Sequence, residues 1–278
     1  MVIIDITKGR NEVIGEMDRP SAKELIFKNA VYIHRGRQYL VENLDIENRK
    51  CLVREADVNY FTDGVVKTDI KVLTEDETFS CGNAGDVPAP GRDAPVPQNA
   101  GLPSLNGVLG DILVRSQAVK FKKIRFHTHE NIGYGDIDVP EEEIQTRSLM
   151  LLFDERTAGG RVLSSMDEAL TGSVLSGTGN LIRHIAPMYL LCDPRDLGCT
   201  ARVRDPHFGT PCLYIYDKYP GGTGLAEALV QRLDELFNSV YRAVRDCPCE
   251  KGCPSCVGPE ADKPGAAEFL KVLAAENF

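Results

Sequence analysis

What this sequence lacks narrows its function first. No uninterrupted apolar run exceeds five residues, the length reached by Leu149 to Phe153 and Met188 to Cys192. A membrane span needs about 20, so no spanning helix is predicted. The first residues, MVIIDITKGR, hold a short apolar stretch without a cleavage site, and no signal peptide is expected. An excess of positive charge is missing too. The 32 Lys and Arg against 41 Asp and Glu leave a formal net charge of −9, which excludes a globally basic DNA-coating protein but not a local basic strip. No G-x-x-x-x-G-K-[ST] phosphate loop occurs, and no internal repeat is visible.

What is present suffices for a core. The chain has 278 residues, 42% hydrophobic and 26% charged, enough for one large domain or two modest ones. Residues 1–78 read as β-rich: Val31–His34, Tyr39–Val41, Cys51–Val53 and Val65–Val72 are short apolar or alternating runs divided by turn-like pieces. Several short strands so close together predict a small barrel. Residues 79–104 carry five prolines and four glycines and are expected to form a flexible linker that sets the domain boundary.

Residues 105–278 are expected to form the second domain. Asp111–Val114 and Val119–His127 read as two strands, and Glu141–Phe153, after Pro140, as a helix. Met166–His184 reads as a second helix, and Met188–Cys192 and Leu213–Tyr216 as buried strands. From Leu225 to Arg245 apolar residues recur every three or four positions, the signature of an amphipathic helix. The predicted fold class is α+β or α/β: a small N-terminal β-barrel-like unit and an α/β domain ending in a four-cysteine zinc site.

Of nine cysteines, four fall within ten residues. Cys247, Cys249, Cys253 and Cys256 form C-x-C-x3-C-x2-C, which suits a tetrahedron of thiolates around Zn2+. Gly252 permits the tight turn between the pairs. A disulfide pair or an iron–sulfur cluster are the alternatives, but exposed thiols so close together oxidise readily. Clustered cysteines in a chain without a secretion signal point to a reducing, cytoplasmic compartment. Cys51, Cys81, Cys192, Cys199 and Cys212 are scattered and read as small buried hydrophobes.

Other motifs are weaker. Gly221-Gly222-Thr223-Gly224 separates a strand from a helix and offers either an anion site at backbone N–H groups or a tight packing turn. Arg115, Lys120, Lys122, Lys123 and Arg125 form an acid-free basic strip with Phe121 and Phe126 between its charges. Such a strand suits single-stranded nucleic acid, where rings stack on bases and cations follow phosphates; a lysine-protected edge strand is the alternative. His127 and His129 would share a strand face but lack a third metal partner. Asp193, Arg195 and Asp196 read as a structural ion-pair cluster or a catalytic one. Asp167-Glu168 has no phosphate loop before it and is no helicase box.

Several segments together carry a resemblance. Leu181-Ile-Arg-His-Ile-Ala-Pro-Met, Cys192-Asp-Pro-Arg-Asp-Leu-Gly198, Tyr216-Asp-Lys-Tyr-Pro-Gly-Gly-Thr-Gly224 and the cysteine cluster resemble the C-terminal zinc-binding domain of DEAD/DEAH-box helicases of the mitomycin repair factor A type, found also in some phage-defence proteins. Ile14–Leu73 resembles the β-rich connector before that domain. The resemblance implies zinc at Cys247, Cys249, Cys253 and Cys256. It also implies helicase motor lobes as partners, in cis or in trans, and ATP-driven 3′ to 5′ unwinding in DNA repair for the whole protein. ATP hydrolysis is not implied for this chain.

The expectation is therefore a non-catalytic accessory module of a DNA-repair helicase that binds single-stranded DNA weakly and no membrane. The rival readings are a phosphoester hydrolase built on Asp193, Arg195 and Asp196, and a protein-interaction subunit of a phage-defence complex.

Overall fold

The computed structural model describes residues 1–9, 11–82 and 102–274. The chain forms two compact units: Met1–Asp69 with Arg115–Glu143, and Ile70–Val114 with Ile144–Phe278.

The first unit opens with β1 (Val2–Asp5), β2 (Glu12–Glu16), α1 (Arg19–Leu25), β3 (Val31–His34), β4 (Arg37–Asp45) and β5 (Lys50–Glu55). Its sheet runs β2-β1-β5-β4-β3 and curls into a half-barrel. β1 lies parallel to β5 and the other pairs are antiparallel. The β3–β4 hairpin turns through Arg35 and Gly36, with φ of 49° and 76°. Positive φ at both positions matches the twist that two-residue hairpins need. α1 starts where the Asp18 carboxylate accepts the Ser21 N–H at 2.9 Å. It buries Ala22 and is followed by Ile26 and Phe27, which pack with Ile3, Val41, Cys51 and Val53.

Five further strands follow: β6 (Tyr60–Val72), β7 (Glu77–Cys81), β8 (Leu105–Arg125), β9 (Asn131–Asp136) and β10 (Glu142–Leu152). β6, β8 and β10 each contribute residues to both units. Then come α2 (Ala158–Ser164), α3 (Glu168–Leu190), β11 (Leu197–Arg202), β12 (Cys212–Asp217), α4 (Leu225–Val230), α5 (Leu233–Arg245) and α6 (Lys263–Leu273). The second sheet runs β11-β12-β10-β8-β6, with β7 and β9 each paired to β8. β10–β12, β11–β12, β7–β8 and β8–β9 are all antiparallel. In the second unit, α3, α5 and α6 pack on one another and bury Val174, Ile182, Leu236, Val240 and Leu270. Phe153 meets Phe269 edge-on with ring centroids 5.0 Å apart, which adds about 0.5–1.5 kcal/mol to the burial itself. No helix among the described residues is long and apolar enough to cross a membrane.

The structure differs from several expectations. The compact units do not follow the expected division into 1–78, 79–104 and 105–278, because the long strands supply both. Of the expected linker, β7 claims its first residues, while 83–101 lie outside the described residues. Asp111–Val114 and residues 119–125 of the expected strand Val119–His127 belong to one 21-residue strand, β8, and Phe126 and His127 lie in the turn after it. Glu141–Phe153 is the strand β10: Leu149, Met150 and Leu151 are all fully buried and β12 pairs along them, so tertiary pairing prevails over the helix-like acidic start. Met188–Cys192 is the end of α3 and the turn after it, with Met188 and Leu191 67% and 92% exposed. The long amphipathic helix breaks at Gln231 and Arg232 into α4 and α5.

Candidate metal centre

The cysteine cluster fills the loop between α5 and α6. α5 ends at Arg245, and Cys247-Pro-Cys249 leaves it directly. Gly252 then turns the chain back with φ of 137°. A Cβ there would stand 2.5 Å from the Gly258 carbonyl oxygen and 2.8 Å from that of Ala261, so the turn tolerates only glycine. The second pair closes its own turn: the Cys256 and Gly258 N–H groups both donate to the Cys253 carbonyl, each at 3.0 Å. α6 begins where the Asp262 carboxylate accepts the Gly265 N–H at 2.7 Å.

This folding brings all four sulfurs within 4.8 Å of one another. Cys247 Sγ lies 3.5 Å from Cys249 Sγ and 3.6 Å from Cys253 Sγ, and Cys256 Sγ lies 3.5 and 3.6 Å from those of Cys249 and Cys253. Four sulfurs each about 2.3 Å from a zinc ion, at tetrahedral angles, stand about 3.8 Å apart. The cluster therefore fits zinc. It is far from disulfide contact, which needs about 2.05 Å, and all nine cysteines are free thiols.

The surroundings suit a negative tetrathiolate. Lys263 Nζ donates to the carbonyl oxygens of Cys247 and Cys249 at 2.6 and 2.5 Å, placing a cation beside the cluster. Burial works to raise the Cys256 thiol, but N–H groups of Cys253 and Val257 and the neighbouring thiols donate to its sulfur, and it falls to about 7. The Cys253 N–H lies 3.3 Å from that sulfur. α3 braces the loop: Asn180 Nδ2 donates to the Cys256 carbonyl at 3.2 Å, and the Asp262 N–H donates to Ser173 Oγ at 2.8 Å. At Gly177 a Cβ would sit 2.9 Å from Ala261 Cβ and 3.0 Å from Val257 Cβ, so α3 approaches the cysteine loop through a glycine. With four sulfurs as ligands and no open position, the site is structural rather than catalytic.

The Gly-rich turn already holds an anion of its own. Asp217, fully buried at the end of β12, accepts Thr223 Oγ1 at 2.9 Å, the Leu225 N–H at 3.3 Å and the Ala226 N–H at 3.2 Å, and also the Thr223 N–H. Of the anion site expected at Gly221, Gly222, Thr223 and Gly224, Thr223 is thus turned onto this carboxylate, while the Gly221 and Gly222 N–H groups donate to the carbonyls of Gln145 and Tyr219 at 2.8 and 3.0 Å. Gly222 is required because a Cβ there would meet Arg147 Cγ at 2.6 Å. Arg147 itself binds Asp111 at 3.0 Å and Glu227 at 2.8 Å, and pairs with Asp76. Reading the sequence missed Asp217 and Arg147; the acid closing a strand directly before a Gly-rich turn was the available signal.

Asp193, Arg195 and Asp196, read as a structural or a catalytic cluster, form a surface turn. The Asp193 N–H donates to Asp196 Oδ2 at 2.9 Å, the Arg195 N–H to Asp193 Oδ1 at 2.8 Å, and Tyr219 OH to Asp196 Oδ1 at 2.7 Å. The Arg195 side chain is 88% exposed. Both acids are occupied in shaping the turn. His127 and His129 sit in the β8–β9 turn with positive φ, not on a strand face. Asp167 caps α3 by accepting the Leu170 N–H at 2.8 Å.

The basic strip lies along the end of β8 with one member removed. Phe121 is buried, its ring 5.0 Å from that of Phe27, so it stacks in the core and is not open to a base. Phe126 likewise leans on Phe61, with centroids 5.7 Å apart. Arg115 pairs with Glu143 at 2.8 Å and Arg125 with Glu130 at 3.7 Å. Among the described residues Lys120, Lys122 and Lys123 carry no ion pair, and Lys123 Nζ stands 5.4 Å from the Tyr60 ring centre.

Four thiols at tetrahedral spacing, locked between two helices and braced by a third, define a structural zinc-binding domain. Residues 178–257 match the family model described as the MrfA Zn-binding domain. The Bacillus subtilis (strain 168) protein named "Uncharacterized ATP-dependent helicase YprA" is 36% identical over 98% of this chain and 33% of its own length. "ATP-dependent helicase HRQ1" of Saccharomyces cerevisiae is 22% identical over 98% of this chain and 25% of its length. The crystal structure of the DUF1998 helicase MrfA bound to DNA matches 98% of this chain and 34% of that one, with 33% identity and a TM-score of 0.59. The chain thus spans about a third or less of the length of these helicases, and is homologous to a segment of them.

Proposed function

We propose that this chain is a non-catalytic accessory module of an ATP-dependent DNA-repair helicase, working with motor domains supplied in cis or in trans in the cytoplasm. The observation that carries the reading is the alignment of nearly the whole chain with one segment of ATP-dependent helicases, one of them solved on DNA. The zinc cluster holds the second unit's C-terminal helices together. Lys120, Lys122 and Lys123, which carry no ion pair among the described residues, supply a weak path for single-stranded DNA, opposed by the net charge of −9.

Two measurements on the purified chain test the reading. DNA-stimulated ATP turnover is expected to be absent, since the sequence holds no phosphate-binding lysine motif; turnover above contaminant level would overturn it. Binding of labelled single strands is expected to be weak and salt-sensitive. Changing Lys122 and Lys123 to Glu should abolish binding, and each phosphate no longer neutralised by a lysine should lower the salt slope by about 0.7. Unchanged binding in that double variant across a salt titration would contradict the assignment of the path to β8.

A further inference from the structure

We infer that one open sheet face of the first unit carries a three-lysine track for the phosphate backbone of a single strand, running over Lys122, Lys120 and Lys67. The inference rests on the proposed DNA path. It adds to that path a residue of β6, far from β8 in sequence, and the face on which the strand lies.

Register decides which side chains share that face. Along β9, Tyr134 stands across from Lys122 and Asp136 across from Lys120, and directly opposed residues of antiparallel strands leave the sheet on the same side. Gly135, between them, stands across from Phe121, whose ring a Cβ there would meet at 2.3 Å. That ring lies on the covered side, buried against Phe27. Along β6, the Phe126 N–H donates to the Asn59 carbonyl at 3.0 Å. Pairing these two residues sets Asp63 across from Lys122 and Val65 across from Lys120. Gly64 points to the covered side, where a Cβ would lie 3.5 Å from the Phe27 ring. Exposure alternates to match: Asp63, Val65 and Lys67 are exposed, whereas Thr62, Gly64 and Val66 are half-buried. Lys67 therefore shares the open face with Lys120 and Lys122. Lys123 leaves from the covered side, its ammonium 5.4 Å from the Tyr60 ring centre.

Spacing and charge fit a phosphate backbone. Lys120 and Lys122 are alternate residues of one strand, about 6.8 Å apart. Lys67 is the diagonal neighbour of Lys120 across the β6–β8 pair, about 7–8 Å away. The three cations form a line of nearly even steps, and none carries an ion pair among the described residues. Asp63 lies on one side of this line and Asp136 on the other, so phosphates are repelled from both flanks and held to the middle. The same acids keep the affinity modest. Toward Arg115 the line ends, because Glu143 and Glu141 hold that side chain at 2.8 and 3.9 Å. Val65 and Tyr134, the large apolar side chains of these rows, stand on opposite sides of the lysines and do not join into an apolar patch. A charged, extended ligand suits such a face better than a protein surface does.

The test follows the anisotropy of a labelled oligo(dT) bound by the purified chain across a salt titration. Lys67→Gln should weaken binding and lower the salt slope by about 0.7, the share of one phosphate contact on a single strand. Lys50→Gln removes an equal charge from β5, in the other sheet, and should leave the slope unchanged. Because both lysines are exposed, circular dichroism should show the variants folded. A Lys67→Gln slope equal to that of the parent, or an equal loss in Lys50→Gln, would overturn the track while leaving the β8 path standing. A parent chain that binds no single strand would remove the DNA path itself, and the track with it.

Discussion

The Lys263 ammonium donates to the main-chain oxygen of Cys247 at 2.6 Å and reaches that of Cys249 as well. The first turn of α6 is thereby tied to the two ligands that leave α5. The same contact sets a positive charge beside four sulfurs that carry negative charge when they hold zinc.

Replacing this side chain tests the contact. Lys263→Met should destabilise the chain by about 1.5–3 kcal/mol, the usual range for hydrogen bonds to a charged group, and should speed zinc extraction by a chelating dye. Lys263→Arg, which keeps the charge, should recover most of the extraction half-time. Identical extraction rates for parent and Lys263→Met would show that the lysine does nothing for the metal.

Gly177 is the second lever, because it lets α3 approach the cysteine loop. In Gly177→Val the new methyl groups must enter space already held by Val257 and Ala261. A cost of about 1–3 kcal/mol is expected from overpacking, read as a lower denaturant midpoint. Hydrogen exchange should rise first in residues 247–262, on the far side of the strained contact.

Asp217 gives a third prediction, with a chemical rescue. Asp217→Ala leaves the N–H groups of Thr223, Leu225 and Ala226 without their acceptor in a buried place, which should cost at least about 3 kcal/mol. Inorganic phosphate should raise the melting temperature of Asp217→Ala more than that of the parent, because the anion can stand where the carboxylate was. Equal stabilisation of both would contradict the view that Asp217 fills this turn.

The metal cluster was legible in the sequence because its ligands are local: Cys247 to Cys256 span ten residues, and Gly252 marks the reversal between them. The Gly-rich turn was legible as a turn but not as an occupied one. Whether its N–H groups face outward depends on where β12 places Asp217, and no spacing rule states that. β10 was misread for a related reason. Pro140 followed by three glutamates resembles a helix start, yet full burial of Leu149, Met150 and Leu151 reflects a strand covered on both faces. Phe121 looked available because its sequence neighbours are lysines. Its ring partner, Phe27, comes from just past the end of α1, far away in the chain.

The claim that organises the whole account is a structural zinc held by Cys247, Cys249, Cys253 and Cys256. Elemental analysis of the purified chain measures it most directly, combined with the thermal melt of Cys253→Ser. The account predicts about one zinc per chain, lost in Cys253→Ser together with the cooperative melting of the segment from α5 to α6, since structural zinc contributes its binding energy to folding. Chelator-treated chain that stays fully folded with less than about 0.2 zinc per molecule would contradict it.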